Sequence, residues 1–163
     1  MKKAYFAGGC FWCISPVFRE QKGVLSVISG YSGGNEPNPS YEQVKKGNTG
    51  HRETICITYD EYIISFEDLL QIYLWNVDPF DPDGQFIDRG YSYTLAVYYS
   101  DHEEESISER KIKLLIDETH KQPFISLEPF KSFYPAEEYH QNYDLKNPEL
   151  FHKELIESGR LSK

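Results

Sequence analysis

Cysteine is scarce in this chain: three residues among 163, an odd number. That count does not build a secreted disulfide framework, and reduced thiols are the expectation. No long uninterrupted apolar run occurs, which excludes a membrane-spanning helix. Nor does a basic segment leading into an apolar one open the chain, because Met1-Lys2-Lys3 runs straight into a short apolar stretch. A cytoplasmic location is therefore expected. Basic residues are outnumbered, with 17 Lys and Arg against 26 Asp and Glu and a formal net charge of −9. Binding a phosphate backbone needs clustered cations, so nucleic acid is not an expected partner. With no internal repeat, low-complexity segment or linker, residues 1–163 read as one domain. A chain of that length buries about two thirds of its unfolded surface without disulfide staples.

Aromatic residues are plentiful instead, with 13 Tyr and 10 Phe, enough to fill a core and still supply phenols to a site. The most informative stretch is Gly8-Gly9-Cys10-Phe11-Trp12-Cys13, which sets two thiols and two large aromatics within one turn. Ala4-Tyr5-Phe6-Ala7 ahead of it reads as a buried strand and Ile14 to Gln21 behind it as a helix, so the glycines make a tight strand-to-helix turn. Cys10 then sits at a helix N-terminus, where unpaired amides and the helix dipole are expected to lower a thiol pKa from about 8.5. A structural zinc site needs four ligands, yet the only other cysteine is Cys56 and no closely spaced His pair occurs. No metal is expected. An inert buried pair of thiols is the bland alternative.

Along the chain, Val24 to Ser29 reads as a second strand, entered through Lys22-Gly23. Residues 30 to 50 read as loop, because Gly30 to Tyr41 is rich in Gly and Pro and shows no apolar period. Thr54 to Tyr59 alternates as a half-buried strand with Cys56 on a sheet face. Ser65 and Asp68 form a capping-box pattern ahead of Phe66, Leu69, Leu70, Tyr73, Leu74 and Val77, a helix ending near Asp78-Pro79. A polar loop at Asp81 to Gln85 precedes a strand at Tyr93 to Tyr99, and Asp101 caps a charged helix running to about His120. The tail from Phe133 mixes aromatics, Pro and short helical stretches. Strand, helix, strand, strand, helix, strand is the order of an α+β, ferredoxin-like split βαβ two-layer sandwich, here with long decorated loops.

A thiolate needs an acid beside it for a defined reaction. Thr49-Gly50-His51-Arg52-Glu53 puts a carboxyl just ahead of a strand, and burial would raise its pKa until it holds a proton near neutrality. An exposed acid paired with a neighbouring cation is the commoner state of such a residue. His51 and His140 are read as makers of structural hydrogen bonds rather than as a base or metal ligands.

Six blocks together carry a resemblance: Gly-Cys-Phe-Trp at 9–12, Gly-Tyr-Ser-Gly-Gly at 30–34, Pro39-Ser40-Tyr41, Thr-Gly-His-Arg-Glu at 49–53, Gly84 to Gly90, and Ala136 to Gln141. In this order, across residues 8 to 143, they resemble the A class of peptide methionine sulfoxide reductase. The resemblance implies reduction of the S epimer of methionine sulfoxide, free or in proteins, with no cofactor beyond an external dithiol reductant. Cys10 matches the nucleophile, Glu53 the acid, and Tyr41 and Tyr93 two phenols that hydrogen-bond the sulfoxide oxygen. Phe11 and Trp12 match the aromatics that receive the S-methyl group, and Asp88 resembles a residue supporting the substrate main chain. Many members carry resolving cysteines in a C-terminal tail, whereas this chain has none after Cys56. Some relatives show the Gly-Cys-Phe-Trp-Cys form, which implies a Cys10–Cys13 disulfide reduced by thioredoxin or a similar dithiol protein. Resolution by Cys56 and direct reduction of a sulfenic acid stay open. After Tyr93 the family usually has Arg, and here Thr94 follows. A general thiol-disulfide oxidoreductase using Cys10 and Cys13 is the main rival, and an aromatic-rich peptide-binding module with inert cysteines is the non-enzymatic one.

Overall fold

The computed structural model describes residues 1–160. β1 (Lys2–Gly8) leads into α1 (Phe11–Arg19) and returns as β2 (Val24–Ser32). A short α2 (Tyr41–Lys45) precedes β3 (Arg52–Tyr59) and α3 (Phe66–Trp75). A small hairpin of β4 (Gly84–Gln85) and β5 (Asp88–Arg89) is followed by a 3-10 turn at Tyr91–Tyr93 and by β6 (Leu95–Tyr99). The chain continues through α4 (His102–Thr119), β7 (Ile125–Pro129) and β8 (Phe133–Pro135). It then runs through α5 (Tyr143–Lys146) and α6 (Pro148–Ser158).

The main sheet has the order β7-β6-β1-β3-β2-β8. Its central four, β6-β1-β3-β2, are antiparallel neighbours in the expected ferredoxin-like order. β7 adds to β6 in parallel after the α4 crossover, and β8 adds to β2. Strand alternation separates two apolar faces. Ala4, Phe6, Ile55, Ile57, Leu95 and Val97 meet α1 and α3 in the main core, whereas Tyr5, Ala7, Cys56, Ala96 and Tyr98 form a second cluster on the opposite face. Phe130, between β7 and β8, covers that second face and stacks on Tyr5 at 4.0 Å between ring centroids.

Several boundaries differ from the sequence reading, each for a local reason. The first helix begins at Phe11 rather than Ile14, with Cys10 as its N-cap residue. The second strand runs on through Gly30 to Ser32, because β3 and β8 pair with it on both sides and override the glycine's weak strand preference. Within the expected loop lies α2, capped by Ser40 and Gln43. It buries only Val44, too little to leave an apolar period. The helix after Ser65 stops at Trp75, where Asn76 Nδ2 donates to the Ile72 carbonyl at 2.7 Å. Tyr93 is not in a strand: Gly90, at φ 123°, opens a 3-10 turn, and β6 starts two residues later at Leu95.

Candidate active site

Gly9 makes the turn between β1 and α1 with φ 85°, and a Cβ there would stand 2.7 Å from the Cβ of Gln85. Only glycine allows both the backbone and the close approach. Cys10 follows at the N-cap and Cys13 one turn on, its backbone N–H donating to the Cys10 carbonyl at 3.1 Å, and the two thiols influence each other's titration. Both are buried. The expected lowering of the Cys10 pKa does not occur. The Cys13 thiol, burial, and the nearby acids Glu53 and Asp88 push the Cys10 thiol up. The Cys10 thiol, helped by Arg160, holds Cys13 below its ordinary value. The pair thus titrates as one site, and its protonation steps belong to the two thiols together.

Glu53 on β3 is fully buried, and burial raises its pKa to about 8. It is not the exposed strand-end acid that composition favours. The Phe11 backbone N–H donates to its Oε1 at 3.2 Å. Tyr41, the first residue of α2, and Tyr93, in the 3-10 turn, both reach the same place. Burial and the Glu53 carboxyl both hold the Tyr93 phenol protonated. Cys10, Phe11, Trp12, Cys13, Tyr41, Glu53, Asp88 and Tyr93 all line one cavity of about 160 Å³. A cavity of that size has room for a small organic side chain. Cys56 is not among them; it faces the other side of the sheet, in the cluster with Tyr5. Among the described residues no group of three or more His, Cys, Asp or Glu is placed to hold a metal ion, and no helix is long and apolar enough to cross a membrane.

The remaining motif residues hold this arrangement in place. Trp12 Nε1 donates to His140 Nδ1 at 3.0 Å, and the opposite side of the indole stacks on Tyr143 at 3.8 Å. Glu137 accepts from the Tyr31 hydroxyl at 2.9 Å and from the Tyr41 backbone N–H at 3.0 Å, which fixes the start of α2. Gln141 binds the Ser29 backbone through both its amide oxygen and its amide nitrogen. His51 Nδ1 accepts from the Gly34 N–H and its Nε2 donates to the Glu36 carbonyl, pinning the glycine-rich loop to β3. Both histidines therefore have the structural role expected of them.

Sequence reasoning missed α6. Its Glu154, Glu157 and Ser158 line the cavity with Ile87, while Phe151 and Leu155 pack against Cys10, Cys13 and Tyr93. The signal was present in the i, i+4 spacing of Phe151 and Leu155.

The sequence matches the family model for peptide methionine sulfoxide reductase over residues 2–162. The chain belongs to that family. It is 46% identical over 162 residues to the peptide methionine sulfoxide reductase MsrA of Halalkalibacterium halodurans, covering 98% of this chain and 92% of that protein. Among solved structures, Mxr1 from Saccharomyces cerevisiae in reduced form superposes with a TM-score of 0.84 at 27% identity, over 91% of this chain and 86% of that one. Mxr1 in complex with Trx2 shares the fold at 18% identity and a TM-score of 0.57, over 87% and 84% of the two chains. This reductase is thus an oxidoreductase acting on methionine sulfoxide, and the cavity holding Cys10 and Glu53 is its candidate active site.

Proposed function

We propose that this reductase acts on the S epimer of methionine sulfoxide, free or in proteins, through Cys10. The observation that carries the reading is the meeting, in one small cavity, of a thiol, a carboxyl that keeps its proton near neutrality, two phenols and two large aromatics. Passing the Cys10 proton to the Cys13 thiolate makes Cys10 the nucleophile. Its sulfur attacks the sulfoxide sulfur while Glu53 protonates the oxygen, and Tyr41 and Tyr93 donate to that oxygen as charge develops on it. Phe11 and Trp12 receive the S-methyl group, as sulfur and aromatic faces attract. Asp88, whose pKa burial raises, lines the cavity where it would meet the substrate main chain.

The products are the thioether and a Cys10 sulfenic acid, so two electrons have left the thiol sulfur. Cys13 then attacks that sulfur, water leaves, and a Cys10–Cys13 disulfide remains. Thiol-disulfide exchange with an external dithiol restores both thiols. Mxr1 has been captured with Trx2, which supports a thioredoxin-class reductant here. The position of Cys56, on the far face of the sheet, favours Cys13 as the resolving thiol. Buried free thiols are in keeping with a reducing, cytoplasmic setting.

The deciding experiment follows the separate S and R epimers of a methionine sulfoxide peptide with excess dithiothreitol. Loss of the S epimer alone is expected; loss of neither overturns the reading.

A further inference from the structure

Arg52 precedes Glu53 on β3 and, by strand alternation, points to the opposite side of the sheet. It is buried, and its guanidinium is tied down on several sides. Nε donates to Thr94 Oγ1 at 2.8 Å, and Nη1 donates to Glu128 Oε2 on β7 at 2.6 Å and to the Tyr98 hydroxyl at 3.1 Å. Ser126 donates to the same Glu128 oxygen at 2.8 Å. The guanidinium carbon also lies 4.7 Å from the centroid of the Tyr91 ring. The Thr94 hydroxyl donates in turn to the Tyr91 carbonyl at 2.6 Å.

Tyr91 and Thr94 bracket Tyr93 in the 3-10 turn. That turn has only three residues, and its start at Gly90 makes no side-chain cap hydrogen bond. Backbone bonds from Tyr93 N–H to the Gly90 carbonyl and from Thr94 N–H to the Tyr91 carbonyl, both 3.0 Å, shape the turn, and Phe151 and Leu155 pack against Tyr93. Arg52 adds a hold on Tyr91 and Thr94, on either side of Tyr93, that ties the turn to β3. We propose that Arg52 is a positioning residue for Tyr93, fastening the Tyr91–Thr94 turn to the strand that carries Glu53, so that phenol and carboxyl meet the sulfoxide oxygen in register. This rests on the proposed role of Tyr93 at that oxygen.

Buried charge alone does not explain the arrangement. Glu128 neutralises Arg52 and the Tyr98 hydroxyl accepts from it without help from the turn, yet the fork extends past them to Thr94 and Tyr91. A planar guanidinium can hold several partners in fixed directions at once, which a lysine ammonium cannot. Release of the turn costs orientation, and misplacement by about 1 Å can cost up to about 10²-fold in rate.

The test is a double-mutant cycle on the single-turnover rate with an S-sulfoxide peptide, using Arg52→Met, Tyr93→Phe and the pair. Arg52→Met is expected to lower the rate constant about 10-fold with KM changed by less than about twofold, and to cost nothing further in the Tyr93→Phe background. Returning a guanidinium from the other side of the contact, in Arg52→Met/Thr94→Arg, is expected to restore most of the lost rate. An unchanged rate in Arg52→Met, losses that multiply with those of Tyr93→Phe, or no restoration by Thr94→Arg would overturn the proposal. Should Arg52→Met not fold, Thr94→Val removes the acceptor for Arg52 together with the hydroxyl bond to the Tyr91 carbonyl, and it is expected to slow turnover through Tyr93 in the same non-multiplying way. A wild-type protein that reduces neither epimer overturns the reaction itself; an active wild type with an unaffected Arg52→Met overturns only the role of Arg52.

Discussion

The backbone N–H of Phe11 donates to Oε1 of Glu53, so the first amide of α1 is taken by a carboxyl from the neighbouring strand. An unpaired amide at this end of a helix would favour a thiolate at Cys10. Here the Cys13 thiol and burial, with smaller contributions from Glu53 and Asp88, push the Cys10 thiol up instead. The same contact ties the thiol-bearing turn to the proton donor.

Glu53→Gln is expected to slow sulfoxide reduction by at least about 10²-fold, the scale of a lost general acid. The variant also tests linkage. Because the folded-state pKa of Glu53 is raised to about 8, the folded protein holds a proton that the unfolded chain releases near pH 4.5. Its stability contribution is full below that lower value and is lost as pH rises through about 8. Thermal melts of wild type should therefore fall between pH 5 and 8 more steeply than those of Glu53→Gln.

Alkylation should find Cys13 before Cys10. The neighbouring Cys10 thiol and the proximity of Arg160 favour the charge on Cys13. Peptide mapping after brief iodoacetamide treatment near neutral pH is expected to show label first on Cys13. Label confined to Cys10 would mean that the helix N-terminus wins after all.

Cys13→Ser should still reduce about one equivalent of substrate in a single turnover, since the nucleophile is intact, while thioredoxin-driven cycling falls steeply. Sustained cycling at the wild-type rate would show direct reduction of the sulfenic acid or a route through Cys56.

Loosening α6 should expose the thiols. Leu155→Ser removes part of the apolar cover over Cys10 and Cys13. Destabilisation of about 1–2 kcal/mol and faster thiol alkylation are expected, read by denaturant titration and by labelling rate. Unchanged labelling would show that α6 does not shield the pair.

Much of this protein was legible in the chain itself. Apolar runs, period-2 alternation and helical patterns place the four central strands and α1 and α3, because those elements bury continuous apolar faces that leave a local signature, whereas α4 is marked by its cap and its charge. The Ser65–Asp68 cap and the Asp101 cap are local as well, decided by side chains three residues from the amides they bind. The site residues were legible as blocks in order, though not what each block holds. That Glu137 fixes α2, His140 fixes Trp12, and Arg52 reaches Thr94 depends on contacts across 96, 128 and 42 residues. The edge strands β7 and β8, the cover provided by α6 and the upward shift of Cys10 were likewise decided by tertiary structure. Sheet pairing, burial and field are set by neighbours brought together in folding, and a residue's adjacent sequence carries no record of them.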